Sequence, residues 1–321
     1  MGKLEQDQAA RSSRGILQAF LVVGMLAALL PNTAKAVPSF SRVTGMECSF
    51  CHTVFPELTS EGRRFKLLGY TAGKAAKAEV HKVKSDDDKD LGIMTAAPIG
   101  ASIQISENFI ASQPVTTVAS SSSDKNGDLQ FPTSFALFYA GPIGSKAGAF
   151  IQATYDSASA VFHLDTMTDI RYADELKMGE VPVIYGLTAN SGPTMSDVWN
   201  SVPVWSFPYA TSSLSPMLTT AAQIDNSQTG NLGGLGAYAL VDDLVYVEAA
   251  GYRSSPQGGA TYGAVQKFAP YWRVALQHDW ANGSSAEIGA YGLNLGSYPA
   301  GSFPAGPVND YKDVAVDACA S

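Results

Sequence analysis

The 321-residue sequence predicts a mainly β protein, an antiparallel outer-membrane β-barrel preceded by a small helical module. Three observations point there. Beyond Ile93, segments of about ten residues alternate apolar and polar side chains between Gly, Ser, Asp and Pro, the pattern of membrane strands. Glycine is plentiful at 30 residues, while charged residues are only 16%. After the N-terminal region, no run reaches the roughly 20 apolar residues a transmembrane helix needs. Any membrane span must therefore be a strand.

The N-terminus sets the compartment. Lys3, Arg11 and Arg14 precede an apolar run from Gly15 to Leu30, and Ala34-Lys35-Ala36 forms an A-x-A cleavage site. Residues 1–36 therefore read as a secretory signal peptide; the run is short for a spanning anchor and stops at Pro31. Its removal takes four of 21 basic and two of 29 acidic residues, which leaves 17 and 27 and a formal charge of −10. That balance argues against nucleic acid and favours cationic partners or metal ions.

Residues 37–75 form the predicted helical module, built around Cys48-Ser-Phe-Cys51-His52. Two thiols separated by two residues can span the vinyl groups of one haem, and a histidine directly after the second is carried to the iron. On this reading Cys48 and Cys51 form thioethers with a single haem c, and His52 is the proximal ligand. A zinc knuckle would need a second ligand pair, yet the remaining cysteine is Cys319. A thioredoxin-like pair would sit in a βαβ pattern, which is missing here; a plain disulfide is the third alternative. Downstream, Ser60 and Glu61 read as the cap and first-turn acid of a short helix through Arg63, Arg64, Phe65 and Leu68. Arg63 and Arg64 are candidates for pairing with haem propionates, since a guanidinium binds a carboxylate in a fork. The module is too short to enclose a haem alone, so the rest of the chain is expected to cover the ring.

Residues 76–92 are charged and poor in bulky apolar groups, and read as a linker whose aspartates, Asp86 to Asp88 and Asp90, are a solvated run. Residues 93–321 follow as the porin-like barrel of ten or eleven strands. The clearest strand is Val161 to Ala173. There Phe162, Leu164, Ile170 and Tyr172 share one face, while His163, Asp165, Met167, Asp169 and Arg171 share the other. The same division separates Trp272, Val274, Leu276, His278 and Trp280 from Arg273, Gln277 and Asp279, with the tryptophans placed as an aromatic girdle. Ionisable groups on one face suit a wet lumen better than a sandwich core. Val241-Asp242-Asp243-Leu244 reads as a tight hairpin.

One interval breaks the pattern. Ser191 to Asn231 begins with a stretch carrying four prolines and a cluster of Trp199, Trp205, Phe207 and Tyr209. It reads as an extracellular lid or an inward constriction, against an ordinary surface loop with an aromatic knot. For a second axial ligand, Met167 and His163 point to the inferred lumen, His278 faces lipid, and His81 and Met94 sit in or near the linker.

The run SFSRVTGMECSFCHTVFPELTSEGRRFKLLGYT resembles the N-terminal segment of the fused cytochrome-porins of the outer membrane, which include bacterial iron oxidases. Its specific parts are CSFCH, TVFPEL and GRRFKLLGY. A later run, DIRYADELKMGEVPVIYGLTANSGPTMSDVWNSVPVWSFPYA, is similar to the barrel portion of monohaem relatives. The resemblance implies one covalent haem at a barrel mouth or lumen. It also implies electron transfer from an extracellular donor, such as Fe(II), to a periplasmic electron-transfer protein. The corresponding haem residues are Cys48, Cys51 and His52. Two other readings stand beside it: a porin with a haem-bearing plug or sensor, and a soluble periplasmic monohaem cytochrome. The strand carrying Val314 and Val316 stops at Ser321, where the family pattern continues, so an incomplete barrel is expected.

Overall fold

The computed structural model describes residues 38–53, 55–71, 98–107, 129–156, 161–205, 222–224, 232–254, 265–298 and 307–320. The leader 1–36, the linker 76–92 with His81, and Met94 lie outside the described residues. The chain divides after Lys35, and all described residues belong to the unit Ala36–Ser321.

Among the described residues, ten strands make the protein mainly β: β1 (Ile99–Glu107), β2 (Leu129–Pro142), β3 (Ala147–Asp156), β4 (Val161–Met178), β5 (Val181–Asn190), β6 (Leu232–Val241), β7 (Val245–Ser254), β8 (Ala269–Asp279), β9 (Ser285–Ser297) and β10 (Asn309–Ala320). They form one sheet in sequence order, each strand antiparallel to its neighbours. β1 and β10 are its two edges. The expected hairpin joins β6 to β7, where Asp242 and Asp243 take φ of 56° and 50°, the left-handed pair of a two-residue turn.

The outward face of the sheet carries large apolar side chains, whereas the buried face mixes an apolar core with charged groups. On β8, Arg273 and Gln277 are buried, whereas Trp272, Val274 and Leu276 are each more than 40% exposed. On β4, Met167, Asp169 and Arg171 are buried, and Ile170 and Tyr172 face outward. Leu235 on β6 and Val314 and Val316 on β10 are over 70% exposed. At these positions the phases read from the alternation are those observed; the side chains of Phe162 to Asp165 lie outside the described residues.

Among the described residues, three short helices and one irregular segment cover the buried face. They are α1 (Pro38–Thr44), α2 (Cys48–Cys51), α3 (Ser60–Leu67) and the stretch 191–205, which ends in a 3₁₀ turn, Pro203–Trp205. The cap of α3 is Thr59, one residue before the expected Ser60: its hydroxyl accepts from the Gly62 N–H at 3.2 Å. The helix stops at Gly69, whose φ of 70° lets its N–H reach the Lys66 carbonyl while the Tyr70 N–H reaches that of Phe65. Arg63 then pairs with Asp279 of β8, and Arg64 with Glu175 of β4 at 2.6 Å. Both contacts lie at the end of the sheet whose connections, 143–146, 179–180, 242–244 and 280–284, are short.

Residues 191–200 are all buried, so the described part of the irregular interval folds inward. Phe207 and Tyr209 lie outside the described residues. This segment is the hub of the interior. The Arg171 guanidinium donates to the Ser196 carbonyl at 2.8 Å and to Asp169 at 2.7 Å. Asp169 also accepts from Tyr70 at 2.6 Å and Thr188 at 2.8 Å. Ser196 donates to Glu248 of β7, and Arg273 lies 3.3 Å from Asp197 and 2.6 Å from Asp317 of β10. Buried charges are tolerable only when paired in this way.

Candidate functional site

α2 is a single turn, closed by the His52 N–H donating to the Cys48 carbonyl at 3.0 Å. Residues three and four apart share a helix face. Cys48, Cys51 and His52 accordingly line the same cleft. The turn is pinned to α3, because the Thr59 N–H donates to the Cys51 carbonyl at 3.0 Å. A Cβ on Gly62 would overlap that carbonyl oxygen, so the close approach requires glycine.

The electrostatics suit ligation better than thiol redox chemistry. His52 Nδ1 is 3.2 Å from the Glu57 carbonyl; a proton held there leaves the Nε2 lone pair for a metal. Burial lowers the imidazole pKa, which favours the neutral, ligating form. Burial pushes the Cys51 thiol up to about 11, helped by Glu61 and Cys48. Reactive redox pairs have depressed thiol pKa values, so the thioredoxin-like alternative loses ground. None of the three cysteines is disulfide-bonded.

Aromatic rings line much of the rest of the cleft, among them Phe40, Phe65, Tyr70, Phe150 and Trp205. Phe40 stacks on Tyr70 at 5.5 Å and meets Phe65 edge-on at 5.1 Å, and Phe150 packs against Trp205 at 5.8 Å. The empty space of the cleft, open mouth included, is about 810 Å³. Trp205 is buried, and its indole N–H has no partner among the described residues. An orphan donor of that kind fits a carboxylate such as a propionate. Two thiols, a neutral imidazole, flat rings and a spare N–H are together a donor set that fits haem c. Among the described residues, no group of three or more His, Cys, Asp or Glu could hold a metal ion. An iron held by a porphyrin and one imidazole needs no such group.

The other candidate residues are placed elsewhere. Arg63 donates to Asp279 and to the Leu58 carbonyl at 2.9 Å. With Arg64 it lines a second cleft, alongside Asp242, Asp243 and His278, rather than the one beside Cys48. Met167 is packed in the apolar cluster with Tyr70, Phe150 and Trp205. His163 stands opposite Thr154 in β4, and its side chain lies outside the described residues. His278 is exposed, 4.8 Å from Trp280. The structure instead brings Lys66, Tyr70, Asn200 and Trp205 to the cleft. Only Trp205 carried a signal in the sequence, as part of the aromatic cluster after β5. Comparisons with protein families, curated proteins and solved structures give no match to this chain.

Proposed function

We propose that this chain is an outer-membrane electron carrier in which a β-barrel holds one covalent haem c. It takes electrons from an extracellular donor such as Fe(II) and delivers them to a periplasmic electron-transfer protein. The observation that carries this reading is the single turn that brings Cys48, Cys51 and His52 to one aromatic cleft, roofed by residues from the sheet and the 191–205 segment. Haem supplies a one-electron ferric/ferrous couple when bound. The protein's own part is to tether through Cys48 and Cys51, to ligate through His52, and to keep water from the ring with Phe40, Phe65, Phe150 and Trp205.

The sheet's polarity supports the membrane reading. A soluble sandwich buries its apolar face, whereas here Leu235, Val314 and Val316 face outward and Arg171 and Arg273 are fully buried. Apolar outside and polar inside is the pattern of a lipid-facing barrel. Short turns of such barrels are periplasmic, which would put the Arg63–Asp279 and Arg64–Glu175 contacts of α3 on the acceptor's side. The burial of residues 191–200 supports the electron carrier over the porin with a haem plug, because a segment folded inward occupies space that a solute would cross.

The test is a pyridine haemochrome assay on membrane and soluble fractions, followed by stopped-flow mixing with Fe(II). Covalent haem in the detergent-extracted fraction, reduced by Fe(II), is the expected result. Recovery without detergent would remove the membrane part. Haem that dithionite reduces but Fe(II) leaves oxidised would remove the iron-donor part, and bilayer conductance without haem turnover would favour the porin.

A further inference from the structure

Lys66 is an unusual neighbour for a haem cleft. It is only 2% exposed, yet it lines the same cleft as Cys48, Cys51 and His52. Its Nζ donates to the Asp197 carbonyl at 2.5 Å, to the Asn200 Oδ1 at 2.8 Å and to the Met195 carbonyl at 3.3 Å. It also stands 3.9 Å from the centre of the Trp205 ring. Three acceptors match the three N–H bonds of an ammonium and leave no lone pair free. The ring adds a cation–π contact.

We propose that Lys66 is a potential-setting charge for the haem site, a buried ammonium that favours the ferrous state and couples its formation to proton uptake. This rests on the haem reading of the cleft. The ferric site carries one more positive charge than the ferrous site, so a cation in the same low-dielectric cleft disfavours it. In the balanced step, one electron comes from a one-electron reductant, and up to one proton passes from solvent to Lys66 Nζ. The groups facing Lys66 are Arg171 and Asp169 of β4, Asp197 of the inward segment and Glu248 of β7. Burial, with Arg171, pushes the ammonium down to about 7 against the pull of the three carboxylates. A ferric iron lowers it further and reduction relieves that, so the haem potential falls as pH rises through the neutral range.

The test is potentiometric titration of the full-length, haem-loaded protein between about pH 5.5 and 8.5, with Lys66→Gln and Lys66→Met alongside. The wild-type potential is expected to fall across this range. Both variants are expected to be flat near neutrality. At the acid end their ferrous-to-ferric ratio should be about tenfold lower at the same ambient potential, equivalent to about 59 mV for one electron. Lys66→Gln keeps an N–H donor for Asp197 and Asn200, so it tests the charge if Lys66→Met misfolds. A flat wild-type profile overturns the proposal without any variant. So does a slope that persists unchanged in the variants, which assigns the proton to another group. Absence of covalent haem in the wild type is a separate result and removes the haem reading as well.

Discussion

The interior of the sheet and the cleft beside it are two regions that differ in chemistry and in access to water. Around Arg171 and Arg273, guanidinium groups sit between carboxylates and rings, with Tyr238 5.0 Å from Arg171 and Trp199 5.2 Å from Arg273. Around Cys48, Cys51 and His52 the walls are aromatic, and the Trp205 N–H is left without a partner among the described residues. The charged region ties β4, β8, β10 and the 191–205 segment together by ion pairs, although Arg171 Nη1 and Arg273 Nε and Nη1 have no hydrogen-bond partner among the described residues. The cleft has the character of a surface prepared for another molecule. Lys66 stands on the border, hydrogen-bonded to the charged side and lining the aromatic one.

The sharpest separation of the two regions is replacement of the thiols. Cys48→Ala with Cys51→Ala is expected to abolish covalent haem, read as loss of the haemochrome band in denaturing gels, while the far-UV dichroism of the sheet persists. The converse is Arg171→Leu, which strands Asp169 with its buried charge. It should cost about 3–5 kcal/mol in denaturant unfolding, with any folded fraction still carrying haem; full stability in this variant would break the contrast.

Lys66 gives a smaller, pH-linked effect on the haem-free chain. Its folded pKa, about 7, lies below the ordinary lysine value of 10.5, so the unfolded chain binds more protons between those limits. Wild-type stability relative to Lys66→Met should therefore rise with pH across that window, by at most about 1.4 kcal/mol per pH unit. Below the window the penalty is constant. Unfolding titrations at several pH values measure it, and a difference that falls with rising pH would contradict the assignment. The smallest effect is expected for Arg64→Ala. The Arg64 side chain is 42% exposed, and its ion pair with Glu175 should be worth less than about 1 kcal/mol in the same assay.

Much of this architecture was legible along the chain, for a local reason. Successive side chains of a strand point to opposite faces, so the segregation of Arg171 from Tyr172, or of Arg273 from Trp272, fixes which residues share a side without knowledge of any partner. The Asp242-Asp243 turn was legible because two acidic residues between apolar runs leave the chain few other conformations. Cys48, Cys51 and His52 were legible because their chemistry depends on spacing within one turn.

What the sequence left open were questions of long-range pairing. Arg63 and Arg64 read equally well as partners of propionates or as part of a solvated helix face; their pairing with Asp279 and Glu175, 216 and 111 residues away, depends on where β8 and β4 meet α3. The stretch 191–205 read as lid or constriction, and its inward position rests on bonds to Arg171, Arg273 and Lys66 from three separate elements. Lys66 lay unremarked within GRRFKLLGY, since a lysine on a short helix is ordinarily solvated. Local periodicity set the strands, their faces and the turn that carries Cys48, Cys51 and His52. Only the folded chain decided which charges answer one another, because burying each guanidinium or ammonium depends on acceptors brought from distant strands and loops.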